Sequence, residues 1–175
     1  MNKTVVDILY EEYSELTQYF LSNQELSYKI SIEANFKKNL ILATASYFEH
    51  LIITSLMDYT TKVTNNNEIL IEFFKNKAVN RQFHTFFNWN DSNANSFFGL
   101  FGSAFLKNMK EKVQQDVKLS EGIKAFLEIG NERNRIVHQN YASYTVDKTT
   151  NEIYESYKLA RYFTDNITEY LNQKK

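Results

Sequence analysis

The sequence contains no cysteine, no proline and only four glycines in 175 residues. Without cysteine the chain has no disulfide, no thiolate nucleophile and no cysteine-based zinc site. Proline and glycine usually mark turns, so their scarcity favours long helices over a β fold with many turns. A hydrophobic content of 43% and an aromatic content of 15% are typical of a globular protein. The length predicts one domain, which we take as residues 1–175.

The sequence also lacks an excess of charge of either sign. It contains 20 Lys and Arg and 21 Asp and Glu, which gives a net charge of −1. No global basic field attracts nucleic acid, so any such site must be local. The N-terminal residues do not form a signal peptide, and no apolar run approaches the roughly 18 residues of a membrane helix. We therefore expect a cytoplasmic protein without a membrane partner. The three histidines lack zinc-motif spacing and no nucleotide-binding glycine motif is present, so we expect no metal and no cofactor.

Apolar residues recur at three- and four-residue spacing along most of the chain, which predicts an all-α bundle of about five to six antiparallel helices. The predicted helices cover approximately residues 5–21, 26–63, 68–77, 96–117, 121–139 and 150–172. Ser120 is the predicted N-cap of the fifth helix, and Thr149 with Glu152 fits a capping box for the last. Residues 79–97, rich in asparagine and aromatic residues, predict a loop or irregular insertion, and residues 141–149 predict a short extended segment.

The segment that points to chemistry is Arg133-Asn134-Arg135-Ile136-Val137-His138, near the end of the fifth predicted helix. It combines a guanidinium, a carboxamide and an imidazole, which are groups that suit metal-free chemistry on a phosphodiester. At about 100° per residue, one face of this helix is apolar, formed by Ile123, Phe126, Gly130 and Val137. Arg133 falls inside this face. A guanidinium there needs a carboxylate, a phosphate or an interface to compensate its burial.

The spacing within the motif raises a geometric problem. Asn134 and His138 are four residues apart and share a helix face, whereas Arg133 and His138 lie about 140° apart on an ideal helix. One straight helix is therefore not expected to bring Arg133 and His138 together. Either the helix distorts near His138, or a second copy of the chain completes a composite active site across a two-fold axis, which makes a homodimer part of the mechanism.

The Arg-Asn-x-x-x-His pattern of residues 133–138, on an amphipathic helix and followed by a short polar segment, resembles the signature of HEPN domains. Residues 45–52, Ala-Ser-Tyr-Phe-Glu-His-Leu-Ile, resemble the second-helix region of HEPN families from prokaryotic conflict systems. The resemblance implies a HEPN-like helical bundle and a metal-independent endoribonuclease of bacterial defence or of a toxin-like system. Some HEPN toxins, paired with nucleotidyltransferase antitoxins, carry a tyrosine two residues after the histidine. This chain departs from them, with Asn140 there and Tyr141 next.

The resemblance also implies a mechanism, in which the 2′-hydroxyl of RNA attacks the adjacent phosphorus and DNA is not cleaved. The products are a 2′,3′-cyclic phosphate and a 5′-hydroxyl. In this mechanism His138 transfers protons, and Arg133 holds the non-bridging oxygens and stabilises the developing charge. Asn134 orients His138 or binds ribose. Glu49 matches the HEPN glutamate that faces the active helix, and we expect it to pair with Arg133.

Several side chains have alternative interpretations. Arg135 and Tyr141 are candidate substrate-binding residues, although Arg135 points away from the apolar face and contacts either phosphate or solvent. Glu49 is either a site residue or a structural ion-pair partner. His84 lies among aromatic residues close to Arg81. Such a segment either stacks on unpaired bases or forms an aromatic cluster beneath a loop.

Three functions remain open at this point. The first is a homodimeric endoribonuclease acting on RNA, with or without a regulatory partner protein. The second is a HEPN-like bundle without catalysis that binds RNA or another protein. The third is a structural α-helical dimer in which the motif is accidental. His50 lies opposite the apolar stripe of its helix and is expected to be a surface residue.

Overall fold

The computed structural model describes residues 3–172 of the chain, and within them all regular structure is helical. The α-helices are α1 (Val5–Ser22), α2 (Leu26–Val63), α3 (Glu68–Phe74), α4 (Asn95–Gly99), α5 (Ser103–Gln115), α6 (Val117–His138), α7 (Thr150–Thr164) and α8 (Ile167–Asn172). A π-helical turn, Lys75–Val79, continues α3, and a 3-10 turn follows at Phe83–Thr85. The all-α prediction is confirmed.

The described residues hold more helices than predicted because two predicted helices are divided. The helix predicted at 96–117 is interrupted between α4 and α5, where Gly102 has a φ of 95°, a conformation that residues with a Cβ rarely adopt. The last predicted helix is interrupted at Asn166. Its side-chain amide donates to the carbonyl of Tyr162 at 2.8 Å, and its own carbonyl accepts from the N–H of Tyr170 at 3.0 Å. Asn166 thereby ends α7 and begins α8.

The N-terminal caps of α6 and α7 are set by local hydrogen bonds. The prediction that α6 starts after Ser120 is wrong, because the carboxylate of Asp116 accepts from the N–H of Leu119 at 3.0 Å and caps the helix one turn earlier. The capping box of Thr149 and Glu152 is confirmed. The motif of residues 133–138 therefore lies at the end of a helix that is 22 residues long.

The prediction of an extended segment at 141–149 is wrong for its first residues, which form a turn. Asn140 folds the chain into a turn directly after α6, since its side-chain oxygen accepts from the N–H of Ala142 at 3.1 Å. Its carbonyl accepts from the N–H of Tyr144 at 2.9 Å. Asparagine forms such turns readily because its side chain bonds to the backbone two residues on.

The core is centred on aromatic rings contributed by different parts of the chain. Phe126 of α6 lies with its ring centroid 5.8 Å from that of Phe48 in α2 and 5.3 Å from that of Phe163 in α7. Phe87, from the segment between α3 and α4, packs against the same ring at 4.8 Å. This segment is therefore anchored in the core by apolar contacts.

Helix α2 is long and apolar enough, by length and composition alone, to cross a membrane. One such helix is weak evidence for a membrane segment, because the core helix of a soluble domain has the same length and composition. Its buried residues include Phe48, Ile52 and Leu56, three of the residues predicted to form its apolar stripe.

The close approach of α6 and α7 at Gly122 yields a stability prediction. A Cβ at Gly122 would lie 2.9 Å from the carbonyl oxygen of Leu159 and 3.3 Å from the backbone nitrogen of Phe163. Because backbone cannot yield as a flexible side chain does, we expect Gly122→Ala to lower the free energy of unfolding by roughly 1–3 kcal/mol in urea denaturation.

Gly99→Ala is the matched control for this substitution. No heavy atom lies within 4 Å of a Cβ at Gly99, so we expect stability to be unchanged or raised by up to about 1 kcal/mol. Equal unfolding midpoints for the two variants would show that α6 and α7 are not in close contact at Gly122.

Candidate active site

A cleft of about 500 Å³ lies between α2, α6 and the segment that joins α3 to α4. Its polar lining residues are Glu49 of α2, Arg81 and His84 of the joining segment, and Arg133, Asn134 and His138 of α6. Its apolar lining includes Phe48, Phe83, Trp89 and Phe126. Ligand sites in proteins commonly have volumes of about 300–1,000 Å³, so the cleft has room for a bound ligand.

The structure brings Glu49, Arg133, Asn134 and His138, the predicted catalytic residues, to this one cleft. Helix α6 is continuous to His138, and Arg133 and His138 both line the cleft. The α6 residues that line it are Phe126, Ile129, Gly130, Arg133, Asn134 and His138. These positions span about half of an ideal helix circumference, so one wide cleft accommodates side chains about 140° apart.

The guanidinium of Arg133 has a neighbour other than the expected one. It is half-buried, and its Nη1 donates to the side-chain oxygen of Asn134 at 3.1 Å. Within residues 3–172 the expected ion pair with Glu49 is absent. Asn134 therefore holds the guanidinium of Arg133, a contact that the sequence did not predict, since there Asn134 was expected to orient His138 or to bind ribose.

Ion pairing separates the arginines of the cleft from the others. Of the four arginines in the sequence, Arg135 and Arg161 lie 3.3 and 2.8 Å from a carboxylate. Arg81 and Arg133, which line the cleft, have no carboxylate partner among residues 3–172. Two uncompensated guanidinium groups in one cleft suit an anionic ligand such as a phosphodiester.

Two of the three histidines also line the cleft. His84 and His138 line the cleft, whereas His50 is exposed on α2 and does not. An imidazole accepts or donates a proton near neutral pH, so two of them in one cleft can supply both proton transfers of a phosphodiester cleavage. Among the described residues, no three His, Cys, Asp or Glu side chains are grouped as ligands for a metal ion.

The predicted substrate-binding residues Arg135 and Tyr141 lie outside this cleft. Arg135 lines a second cleft, of about 530 Å³, between α6 and residues 139–148. The hydroxyl of Tyr141 donates to the side-chain oxygen of Asn39 at 3.1 Å, and its ring lies 4.8 Å from the ammonium of Lys38. Tyr141 therefore packs on α2, away from His138.

Four of the charged side chains of the second cleft are paired with one another. Glu128 lies 2.7 Å from Lys148, and Glu132 bonds to both Arg135 and the hydroxyl of Tyr144. Burial, together with the hydrogen bond to Glu132, raises the pKa of Tyr144 to about 12. This hydroxyl is neutral at neutral pH. Because Arg135 and Lys148 are paired with carboxylates, the lining of the second cleft offers no unpaired cation like Arg133.

Val137 does not belong to the buried face of α6 as predicted. Its side chain is 50% exposed, whereas Ile136 is 1% exposed. Ile136 lies two turns after the buried Ile129 and on the same side of the helix, so it continues the apolar contact.

A contact between Gly130 and Trp89 fixes the third wall of the cleft. A Cβ at Gly130 would overlap the six-membered ring of the Trp89 indole. Only glycine therefore lets the ring lie directly on α6, one turn before Arg133. The indole N–H donates to the carbonyl of His84 at 2.9 Å, which links this contact to the position of His84. A glycine inside a helical pattern was the sequence signal for this close approach.

An all-α domain whose motif helix presents arginine, asparagine and histidine to one cleft has the features of a HEPN domain. A family model described as RiboL-PSP-HEPN matches residues 7–173, and the chain therefore belongs to the RiboL-PSP-HEPN family. No curated protein and no solved structure gives a significant match. HEPN domains are commonly metal-independent ribonucleases.

The contact between Gly130 and Trp89 can be tested by fluorescence, because Trp89 is the single tryptophan. Gly130→Ala forces the indole away from α6. We expect its emission to shift to longer wavelength and the free energy of unfolding to fall by roughly 1–3 kcal/mol. Gly99→Ala, at a position with free space, should leave the emission unchanged. Identical spectra for Gly130→Ala and wild type would contradict the contact.

Proposed function

We propose that this protein is a metal-independent endoribonuclease that binds RNA in the cleft of Arg133 and His138. The observation that supports this most strongly is Arg133, a half-buried residue whose guanidinium has no carboxylate partner within residues 3–172 and which shares a cleft with His138. A guanidinium without a carboxylate partner is suited to bind an anion. A phosphate group of RNA supplies that anion in bidentate geometry.

In the proposed reaction the 2′-hydroxyl loses its proton to an imidazole, and its oxygen forms a bond to the adjacent phosphorus. The bond from phosphorus to the 5′-oxygen breaks, and that oxygen takes up a proton. Arg133 stabilises the negative charge on the non-bridging oxygens. His138 is the proton carrier that the motif supplies. The products are a 2′,3′-cyclic phosphate and a 5′-hydroxyl, and DNA is not a substrate because it lacks the attacking group.

Asn134 and Glu49 have supporting roles in this proposal. The side-chain oxygen of Asn134 accepts from Arg133, which holds the guanidinium in one orientation. Its side-chain N–H groups have no partner within residues 3–172 and are free to donate to ribose or phosphate. Glu49 is the one carboxylate among the lining residues of the cleft. We assign it to a ribose hydroxyl or to the protonated imidazole of His138.

We also propose a homodimer acting in bacterial defence or in a toxin-like system, as the HEPN resemblance implies. Arg133 and His138 of one chain line the same cleft, and in the proposed homodimer a second copy completes the composite active site.

Cleavage of an RNA oligonucleotide in EDTA tests the proposed function. We expect wild type to cleave RNA and not DNA of the same sequence, and mass spectrometry to detect the 2′,3′-cyclic phosphate. His138→Ala should lower the rate by roughly 10²–10⁴-fold, because it removes a proton carrier. His50→Ala is the matched control, since His50 is exposed and lies outside the cleft, and should cleave like wild type.

Two results would contradict the nuclease. Equal rates for wild type and His138→Ala would exclude His138 from the chemistry. Absence of cleavage by wild type, with RNA binding that survives His138→Ala, would instead favour a HEPN domain that binds RNA without cutting it.

A further inference from the structure

The cleft has a wall that the HEPN motif does not supply. Of the charged and titratable groups that line it, Glu49 belongs to α2 and Arg133 and His138 to α6, whereas Arg81 and His84 belong to the segment between α3 and α4. This segment was predicted as a loop or insertion, and its contribution to the site depends on how firmly it is held.

Aromatic side chains anchor the segment while Arg81 and His84 remain exposed. Phe86 and Phe87 are 6% and 4% exposed, and Trp89 packs on Gly130 of α6. Arg81 and His84, which precede these anchors in the chain, are exposed at the cleft. The segment thus buries its apolar residues and presents its polar ones to the cleft.

Hydrogen bonds fix the backbone on both sides of His84. The carbonyl of Gln82 accepts from the N–H of Thr85 at 2.8 Å and from its hydroxyl at 2.7 Å. The carbonyl of His84 accepts from the indole N–H of Trp89 at 2.9 Å. The backbone of His84 is therefore held relative to α6 before any ligand binds.

Arg81 is the third residue of a β-turn, in which the N–H of Gln82 donates to the carbonyl of Val79 at 3.1 Å. Its φ is 60°, in the left-handed region that residues with a Cβ seldom adopt. It directly follows the π-helical turn Lys75–Val79 and Asn80. Its side chain has no hydrogen bond and no ion pair within residues 3–172. π-helical turns are frequent at functional sites.

We propose that Arg81 and His84 contact the RNA in the cleft of Arg133 and His138. This inference rests on the proposed ribonuclease function. Cleavage needs one group that takes the proton of the 2′-hydroxyl and another that gives a proton to the 5′-oxygen. His138 and His84, on different walls of the cleft, are these two groups. Arg81 binds a phosphate beside the one that Arg133 holds.

Binding and cleavage are measured separately in the experiment. Affinity is measured by fluorescence anisotropy with a 2′-O-methyl RNA, which cannot be cleaved, and rates are measured with unmodified RNA between about pH 5 and 8, where imidazole changes charge. The binding variant is Arg81→Asn, because asparagine tolerates the left-handed conformation and so preserves the turn. Lys107→Ala, at an exposed cation of α5 outside the cleft, is its control.

Arg81→Asn is expected to weaken binding of the 2′-O-methyl RNA by about tenfold or more, since it removes a charged hydrogen-bond donor to phosphate. Lys107→Ala should bind like wild type. His84→Ala is expected to bind within about threefold of wild type but to cleave roughly 10²-fold more slowly, and its pH–rate profile should lose one of the two limbs. His50→Ala should keep both limbs. Unchanged melting temperatures show that the variants fold.

The outcomes distinguish this inference from the proposed function. If wild type cleaves RNA while Arg81→Asn and His84→Ala behave like their controls, the inference is overturned and the nuclease stands. If wild type does not cleave RNA, the nuclease and the proton transfer by His84 fail together. The affinity of Arg81→Asn then decides whether Arg81 contacts RNA.

Discussion

The packing around Phe126 is the interaction on which both the core and the cleft depend. Its ring is contacted by Phe48 of α2, by Phe163 of α7, and by Phe87 and Trp89 of the segment between α3 and α4. Phe126 also lines the cleft. The floor of the candidate site is therefore part of the hydrophobic core, and the loss of a buried ring of this size typically costs about 3–5 kcal/mol. Positions of the site residues and stability of the fold are thus determined by the same contacts.

A chain with a net charge of −1 has no global field that attracts RNA, so its charge acts through local arrangement. Arg135 and Arg161 are compensated by carboxylates, and so are the main charges of the second cleft. Arg81 and Arg133 are left without such partners in the described part of the chain and line the same cleft. Because the other two arginines are paired with carboxylates, the guanidinium groups of Arg81 and Arg133 are the ones available to an anionic ligand.

The motif residues could be predicted from the sequence because they are close along one helix. Arg133, Asn134 and His138 lie within a few residues of one another, and Glu49 was indicated by its place in the HEPN resemblance. Their relations in space were predicted less well. An ideal helix places Arg133 and His138 about 140° apart, but this angle says nothing of how wide a cleft the neighbouring elements enclose. The pairing of Arg133 with Asn134 likewise depends on side-chain orientations that the spacing leaves open.

The sequence by itself determined the helical class, the long α2 and α6 and the capping box of Thr149 and Glu152, because helical periodicity and capping act over three or four residues. It also determined which helix carries the motif. Only the tertiary structure decided that Arg81 and His84 share the cleft of Arg133 and His138, since they are about 50 residues away along the chain. Their position follows from Trp89 lying on Gly130 and Phe87 on Phe126, contacts between distant residues that form only when the whole core is packed.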